Sequence, residues 1–242
     1  MPLSFVPFPR ILMLLASFAM LFVTVHAQEA DAGKDEKLPI LLRVLCKQPV
    51  TGATDLKIVQ AEKAVHDIEV TASLMSDPLG VERGELMLAR PTSGEDKPAF
   101  DPVLKVTIPT EGNRFVLALF ASPKPTPAKP YEFRLVRTDG LRFGASDIYL
   151  FNLTTLPIGG TLGKEKFTLA PDMSKVATPK PDEVGGRMYQ TRFYGQVGGQ
   201  TKLFNDTRWP LAMSARVYLF FIPDPERQSI GYLSFREYEP FP

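Results

Sequence analysis

Residues 67–74, DIEVTASL, alternate strictly: Ile68, Val70, Ala72 and Leu74 point one way, and Asp67, Glu69, Thr71 and Ser73 the other. A period of two over such a stretch is the mark of a half-buried strand. VLKVTI (103–108) repeats it with Leu104, Val106 and Ile108, and EFRLVR (132–137) with Phe133 and Leu135. RFVLALFA (114–121), DIYLFNL (147–153) and VYLFFI (217–222) are nearly continuous apolar runs, whose length and β-branched and aromatic content suit strands buried on both faces. The breaks between runs (SDPLG, PTSGEDKP, PTEGN, RTDG, EVGG, QVGGQ, PDPERQS) are rich in turn formers. The 23 prolines argue in the same direction, because proline disrupts a helix interior.

The expected fold is therefore all-β: an antiparallel β-sandwich in two immunoglobulin-like lobes, residues 39–137 and 138–242, with one continuous sandwich as the alternative. SPKPTPAKP (122–130), with proline at alternate positions, reads as a stiff loop joining two halves of a sandwich rather than a partner-docking segment. A peripheral helical turn is expected around KIVQAEKAV (57–65), and no internal repeat is visible.

Residues 1–27 read as an address. One positive charge, Arg10, precedes the apolar run 11–25, and VHA places Val25 and Ala27 at the positions a signal peptidase reads. An uncleaved anchor would want about 20 apolar residues; this run is shorter, and a polar linker over 28–38 follows at once. Loss of the leader leaves equal numbers of basic and acidic residues, so no overall field attracts nucleic acid or an anionic membrane. No transmembrane segment is expected after cleavage. Cys46 is the only cysteine, so no intramolecular disulfide is possible. Exported eukaryotic domains often rely on disulfides, so the chain points to a bacterial envelope protein, periplasmic or extracellular. Within LPILLRVLC (38–46), Cys46 is expected to be a buried thiol.

Catalytic signals are weak throughout. In IYLFNLTTLPIGGTLGKEKF (148–167), Gly163-Lys164 suggests a phosphate-binding loop, but Ile158 stands where the first glycine is needed, Glu165 replaces the hydroxyl residue, and no helical pattern follows. The segment reads as strand, turn and strand, with Gly159 and Gly160 supplying the unusual backbone angles of a turn or bulge. His66 is the only histidine after the leader, and no G-x-S-x-G elbow accompanies it. One histidine and one cysteine exclude a His-rich zinc or copper site, and no D-x-D-x-D-G calcium loop is present. Acidic residues that could serve a glycosidase are scattered through turns. No catalytic residue, metal or cofactor is expected. Asn152 and Asn205 open N-x-T triplets, and the apolar neighbours of Asn152 point to a buried hydrogen-bonding role.

The densest cluster of recognition residues lies in 187–222, where Tyr189, Phe193, Tyr194, Phe204 and the single tryptophan, Trp209, accompany Arg187, Arg192, Arg208 and Arg216. Alternation puts Tyr189, Thr191, Phe193 and Val197 on one face, and Arg192 and Tyr194 on the other. Arg192, Tyr194 and Trp209 are the candidate binding residues, since aromatic faces and arginines are favoured at binding sites. The competing reading has the rings capping a core while the arginines line the wet face.

IYLFNLTTLPIGGTLG, with its strand ending near Asn152 and its glycine-rich turn, and the closing hairpin from Trp209 to Ile222 resemble an uncharacterised group of secreted bacterial β-sandwich proteins. The resemblance covers the C-terminal half and implies export and an all-β fold; it implies no catalytic residues. The expected function is non-catalytic binding or scaffolding of an envelope protein or glycan. The alternatives are a carbohydrate-binding module using Trp209 and a secreted hydrolase using His66 or dispersed carboxylates.

Overall fold

The structure, a computed structural model, describes residues 39–238 apart from 62, 73–74, 93–98, 141, 182, 184–185 and 225–228; the leader (1–27) and the linker (28–38) lie outside the described residues. Those residues form strands and no helix. The first eight are β1 (Ile40–Cys46), β2 (Asp55–Gln60), β3 (Lys63–Glu69), β4 (Leu79–Val81), β5 (Gly84–Thr92), β6 (Ala99–Ile108), β7 (Arg114–Thr126) and β8 (Lys129–Arg137). They build sheet A, in the order β4-β1-β7-β8, and sheet B, in the order β3-β2-β5-β6. The next eight are β9 (Ile148–Asn152), β10 (Ile158–Leu162), β11 (Glu165–Leu169), β12 (Ser174–Ala177), β13 (Met188–Val197), β14 (Gln200–Pro210), β15 (Arg216–Asp224) and β16 (Ser229–Glu237). They build sheet C, β12-β9-β15-β16, and sheet D, β11-β10-β13-β14.

Subtracting eight from each strand number in sheets C and D reproduces the orders of sheets A and B. The parallel pair matches as well: β1 lies beside β7 with Leu42 opposite Phe115, and β9 beside β15 with Ile148 opposite Val217. The chain is thus a tandem structural repeat, which its sequence does not reveal. The repeat resides in hydrogen-bond topology and in the pattern of burial, and many residue identities satisfy both.

Side-chain alternation then fixes the layers. Leu42 and Val44 of β1 and Phe115, Leu117 and Leu119 of β7 share a core with Leu56, Ile58, Leu86 and Leu88 of sheet B. One residue along, Leu45, Val116, Ala118 and Phe120 point out of that sandwich and pack on Tyr149, Tyr218, Phe220 and Phe235 of sheet C. The other face of sheet C, through Leu150, Leu219 and Phe221, forms a third core with Phe167 and Phe193 of sheet D. The layer order is B-A-C-D. Sheets A and C are buried on both faces, and for that reason β7, β9 and β15 carry the continuous apolar runs seen in the sequence.

A charged network lies between sheets A and C. Glu237 (β16) is fully buried and ion-paired to Arg216 (β15); Arg43 of β1 approaches its second oxygen at 3.4 Å. The Tyr218 hydroxyl donates to Glu237 Oε2 at 2.8 Å, and the Arg216 guanidinium stacks 4.8 Å from the Phe143 ring. Pairing is what makes burial of these charges tolerable.

Several expectations need correction. Residues 122–130 do not join two halves of a sandwich: they form the tip of the β7–β8 hairpin inside the first lobe, with Thr126 paired to Lys129. The expected helical turn at 57–65 is the antiparallel pairing of β2 with β3. The strand expected over 67–74 begins earlier and stops at Glu69; Ala72 is exposed and forms an isolated bridge to Cys46, and residues 73–74 lie outside the described residues. Gly159 and Gly160 lie within β10, and the positive φ belongs to Gly163, at 62°.

Candidate functional site

The glycine-rich segment is a hairpin. Leu162 pairs with Glu165 across Gly163-Lys164, and a positive φ at the first of two loop residues is what a type II′ turn requires. A Cβ on Gly163 would lie 1.7 Å from the Lys180 carbonyl oxygen, and one on Gly160 would meet the Phe167 ring and the Arg192 carbonyl oxygen. Both glycines answer to close packing. Glu165, in the supposed magnesium position, pairs with Lys180 at 3.2 Å and Lys175 at 3.6 Å. The hydrogen bond from Lys180, followed by the charges of both lysines, lowers its pKa against a modest cost of burial.

Sheet D separates the candidate binding residues. Tyr189 lies opposite Trp209, so both point to the core face; Arg192 lies opposite Asp206, so both point to solvent. Arg192 Nε is bonded to Asp206 at 3.2 Å, and Tyr194 stands two residues along the same outer face. A bulge on β14 at this point turns both Phe204 and Asn205 inward. Arg192 and Tyr194 therefore share a surface, while Trp209 lies on the opposite side of the sheet.

Trp209 instead forms one wall of a pocket where sandwich C/D opens at its end. It packs edge-on against Phe193 at 5.7 Å and against Tyr189 at 6.5 Å, with Tyr232 at 5.6 Å. The pocket holds about 200 Å³ and is also lined by Ser146, Ile148, Ser234 and Arg236. Its origin is legible along β16. Ile230, Tyr232, Ser234 and Arg236 share one register; the first two pack on the core, whereas Ser234 and Arg236 are exposed and sit at the open rim where the sheets part. Arg236 lies opposite Val217, which puts it on the core side of sheet C, facing Tyr189. Burial pushes the Tyr189 phenol up to about 12, partly offset by the positive charge of Arg236. Neither the Tyr189 hydroxyl nor the Arg236 guanidinium has a hydrogen-bond or ion-pair partner among the described residues. On the pocket wall Ser146 adopts φ 71°, held by a bond from its N–H to the Ala215 carbonyl at 2.8 Å and from its hydroxyl to that of Ala212 at 3.3 Å. A non-glycine residue in this region marks local strain. An aromatic pocket with polar groups at its rim is a feature suited to hold a ligand.

The other candidates have structural roles. His66 Nε2 lies 2.5 Å from the Gly80 carbonyl oxygen and so ties β3 to β4. Cys46 is buried. Asn152 is buried; its Nδ2 donates to the Leu156 and Leu169 carbonyls and its Oδ1 accepts from Thr154. Asn205 donates to the Thr191 carbonyl and accepts from the Tyr232 hydroxyl at 3.2 Å. A second pocket, of about 270 Å³, lies in the first lobe between β1 and residues 68–71 and 75–77. Among the described residues no group of three or more His, Cys, Asp or Glu side chains is placed to hold a metal, and no helix is long and apolar enough to cross a membrane.

In the sequence Ser234 and Arg236 look like ordinary wet-face residues, and they are exposed; only their register places them at the mouth of the pocket. Their signal is the inward alternation Ile230, Tyr232, Ser234, Arg236, in which polar residues continue a core-facing series. No protein-family model matches the chain, and no curated protein matches it.

Proposed function

We propose that this chain is an exported, non-catalytic β-sandwich protein of the bacterial envelope or exterior, and that it binds its partner at the open end of the second sandwich. The observation that carries the reading is the pocket in which Trp209 and Tyr189 meet Arg236, an arginine with no carboxylate partner among the described residues. Export rests on the residues of the leader and on the resemblance to secreted bacterial β-sandwich proteins. Arg192 and Tyr194, on the outer face of sheet D, form a separate candidate surface for a protein partner.

A carbohydrate-binding role is the second reading, favoured by the Ser146 and Ser234 hydroxyls beside Trp209. Capture from a lysed envelope fraction, analysed for protein and glycan together, tests both. A partner lost with Trp209→Ala but kept with Arg192→Ala supports the pocket; the reverse pattern moves the site to the outer face of sheet D. Turnover on an esterase and glycosidase panel, abolished by a single alanine substitution, would replace binding with hydrolysis. N-terminal sequencing of the exported protein tests the leader, and an intact Met1 would refute its cleavage.

A further inference from the structure

The tandem repeat supplies an internal control for the pocket. On β8 the inward series is Tyr131, Phe133, Leu135 and Arg137; on β16 it is Ile230, Tyr232, Ser234 and Arg236, and the register equates them pairwise: Phe115 lies opposite Arg137 as Val217 lies opposite Arg236. The two end arginines thus occupy equivalent positions, but their surroundings differ. Arg137 Nε bonds Asp139 at 2.9 Å, and its Nη1 bonds Glu111 at 3.2 Å. Asp139 stands two residues after Arg137, and Glu111 belongs to the loop before β7. In the second lobe, Tyr238 stands two residues after Arg236, and the loop before β15, residues 211–215, contains no acid. Arg236 has no carboxylate among the described residues. Where Leu135 fills the first lobe, Ser234 leaves space beside Trp209.

We propose, resting on the binding reading above, that the pocket takes a carboxylate attached to a small apolar body. The acid occupies on Arg236 the place that Glu111 and Asp139 hold on Arg137. A guanidinium matches a planar carboxylate with paired donors, and the Tyr189 hydroxyl supplies a further donor from across the gap. The apolar body packs between Trp209 and Ile148. The same chemistry is offered by a free small acid and by the C-terminus of a peptide.

Trp209 is the only tryptophan, so its fluorescence reports the site directly. The probes are phenylacetate, hexanoate and a short peptide ending in phenylalanine, each titrated beside its amide into the protein as its host processes it. The expected result is that at least one acid binds about tenfold or more tighter than its amide, the scale of a charge-assisted hydrogen bond. Arg236→Gln should remove that preference while leaving the melting temperature in place. Ser234→Leu, which restores the pattern of the first lobe, should abolish binding of acid and amide alike. The arm that binds identifies the source of the carboxylate. Equal binding of acids and amides would overturn the carboxylate while leaving the pocket as a binding site. An acid preference that persists in Arg236→Gln, or a full panel without any response, would overturn the inference itself; envelope capture lost with Trp209→Ala would still uphold the broader reading.

Discussion

Cys46 is 1% exposed on β1, and desolvation pushes its thiol from the usual 9.0 to about 11, partly offset by a backbone hydrogen bond from Gln48. The unfolded chain ionises this thiol first, so its contribution to stability is complete below about pH 9 and is lost as pH rises towards 11. The slope in that window is at most about 1.4 kcal/mol per pH unit. Denaturant melts at pH 8, 9 and 10 should show the decline, and Cys46→Ala should make it shallower, most clearly between pH 8 and 9; the buried tyrosines, whose phenols are also raised, add their own decline towards pH 10. A thiol reagent at pH 8 should modify Cys46 only after unfolding. Gly163→Ala combines a left-handed φ with an obligatory clash against backbone, so a loss of roughly 2–4 kcal/mol is expected, read as a fall in midpoint denaturant concentration at constant slope. Glu237→Ala leaves Arg216 buried without its carboxylate and should cost about 3–5 kcal/mol by the same measurement.

Single strands were the most legible elements. The runs at 114–121, 147–153 and 217–222 announced strands wet on neither face, and β7, β9 and β15 sit in the two inner sheets. The all-β class follows from that pattern and its glycine and proline breaks; the division into lobes rested on the proline-rich stretch 122–130, which lies instead at a hairpin tip. Element partners were not legible: β1 pairs with β7 across the whole lobe, and period-two alternation says nothing about which strand lies beside it. The repeat stayed hidden for the same reason. The binding residues divided because Trp209 pairs with Tyr189 on the core face while Asp206 pairs with Arg192 on the outer face, a pairing that spacing alone does not reveal. At the scale of β16, Ser234→Leu extends the apolar inward series by one residue. By burying added apolar surface, it should stabilise the chain by about 1 kcal/mol, a rise of roughly 2–4 °C in melting temperature. A lower melting temperature would show that the pocket is too tight for leucine.

At the scale of the molecule, the outward faces of sheets A and C make one core between them, in which Phe120 of β7 meets Phe220 of β15 with ring centres 5.0 Å apart. Expressed as separate chains, each lobe would expose these side chains, and self-association by light scattering is the expected behaviour. Mixed, the two should form a tighter one-to-one complex, because only the unlike pair sets Glu237 between Arg43 and Arg216. Failure of the mixed lobes to associate would show that the connection over 138–147 is essential to docking. Equivalent sheets thus meet through equivalent faces, as the subunits of a symmetric dimer do. Nothing in that contact requires both lobes to belong to one chain. Two molecules could close on each other by exchanging lobes, and each prefers itself only because its tether holds the second lobe at an effective concentration of order millimolar. Lengthening that tether would lower the advantage of self-closure and favour the exchanged dimer at high protein concentration.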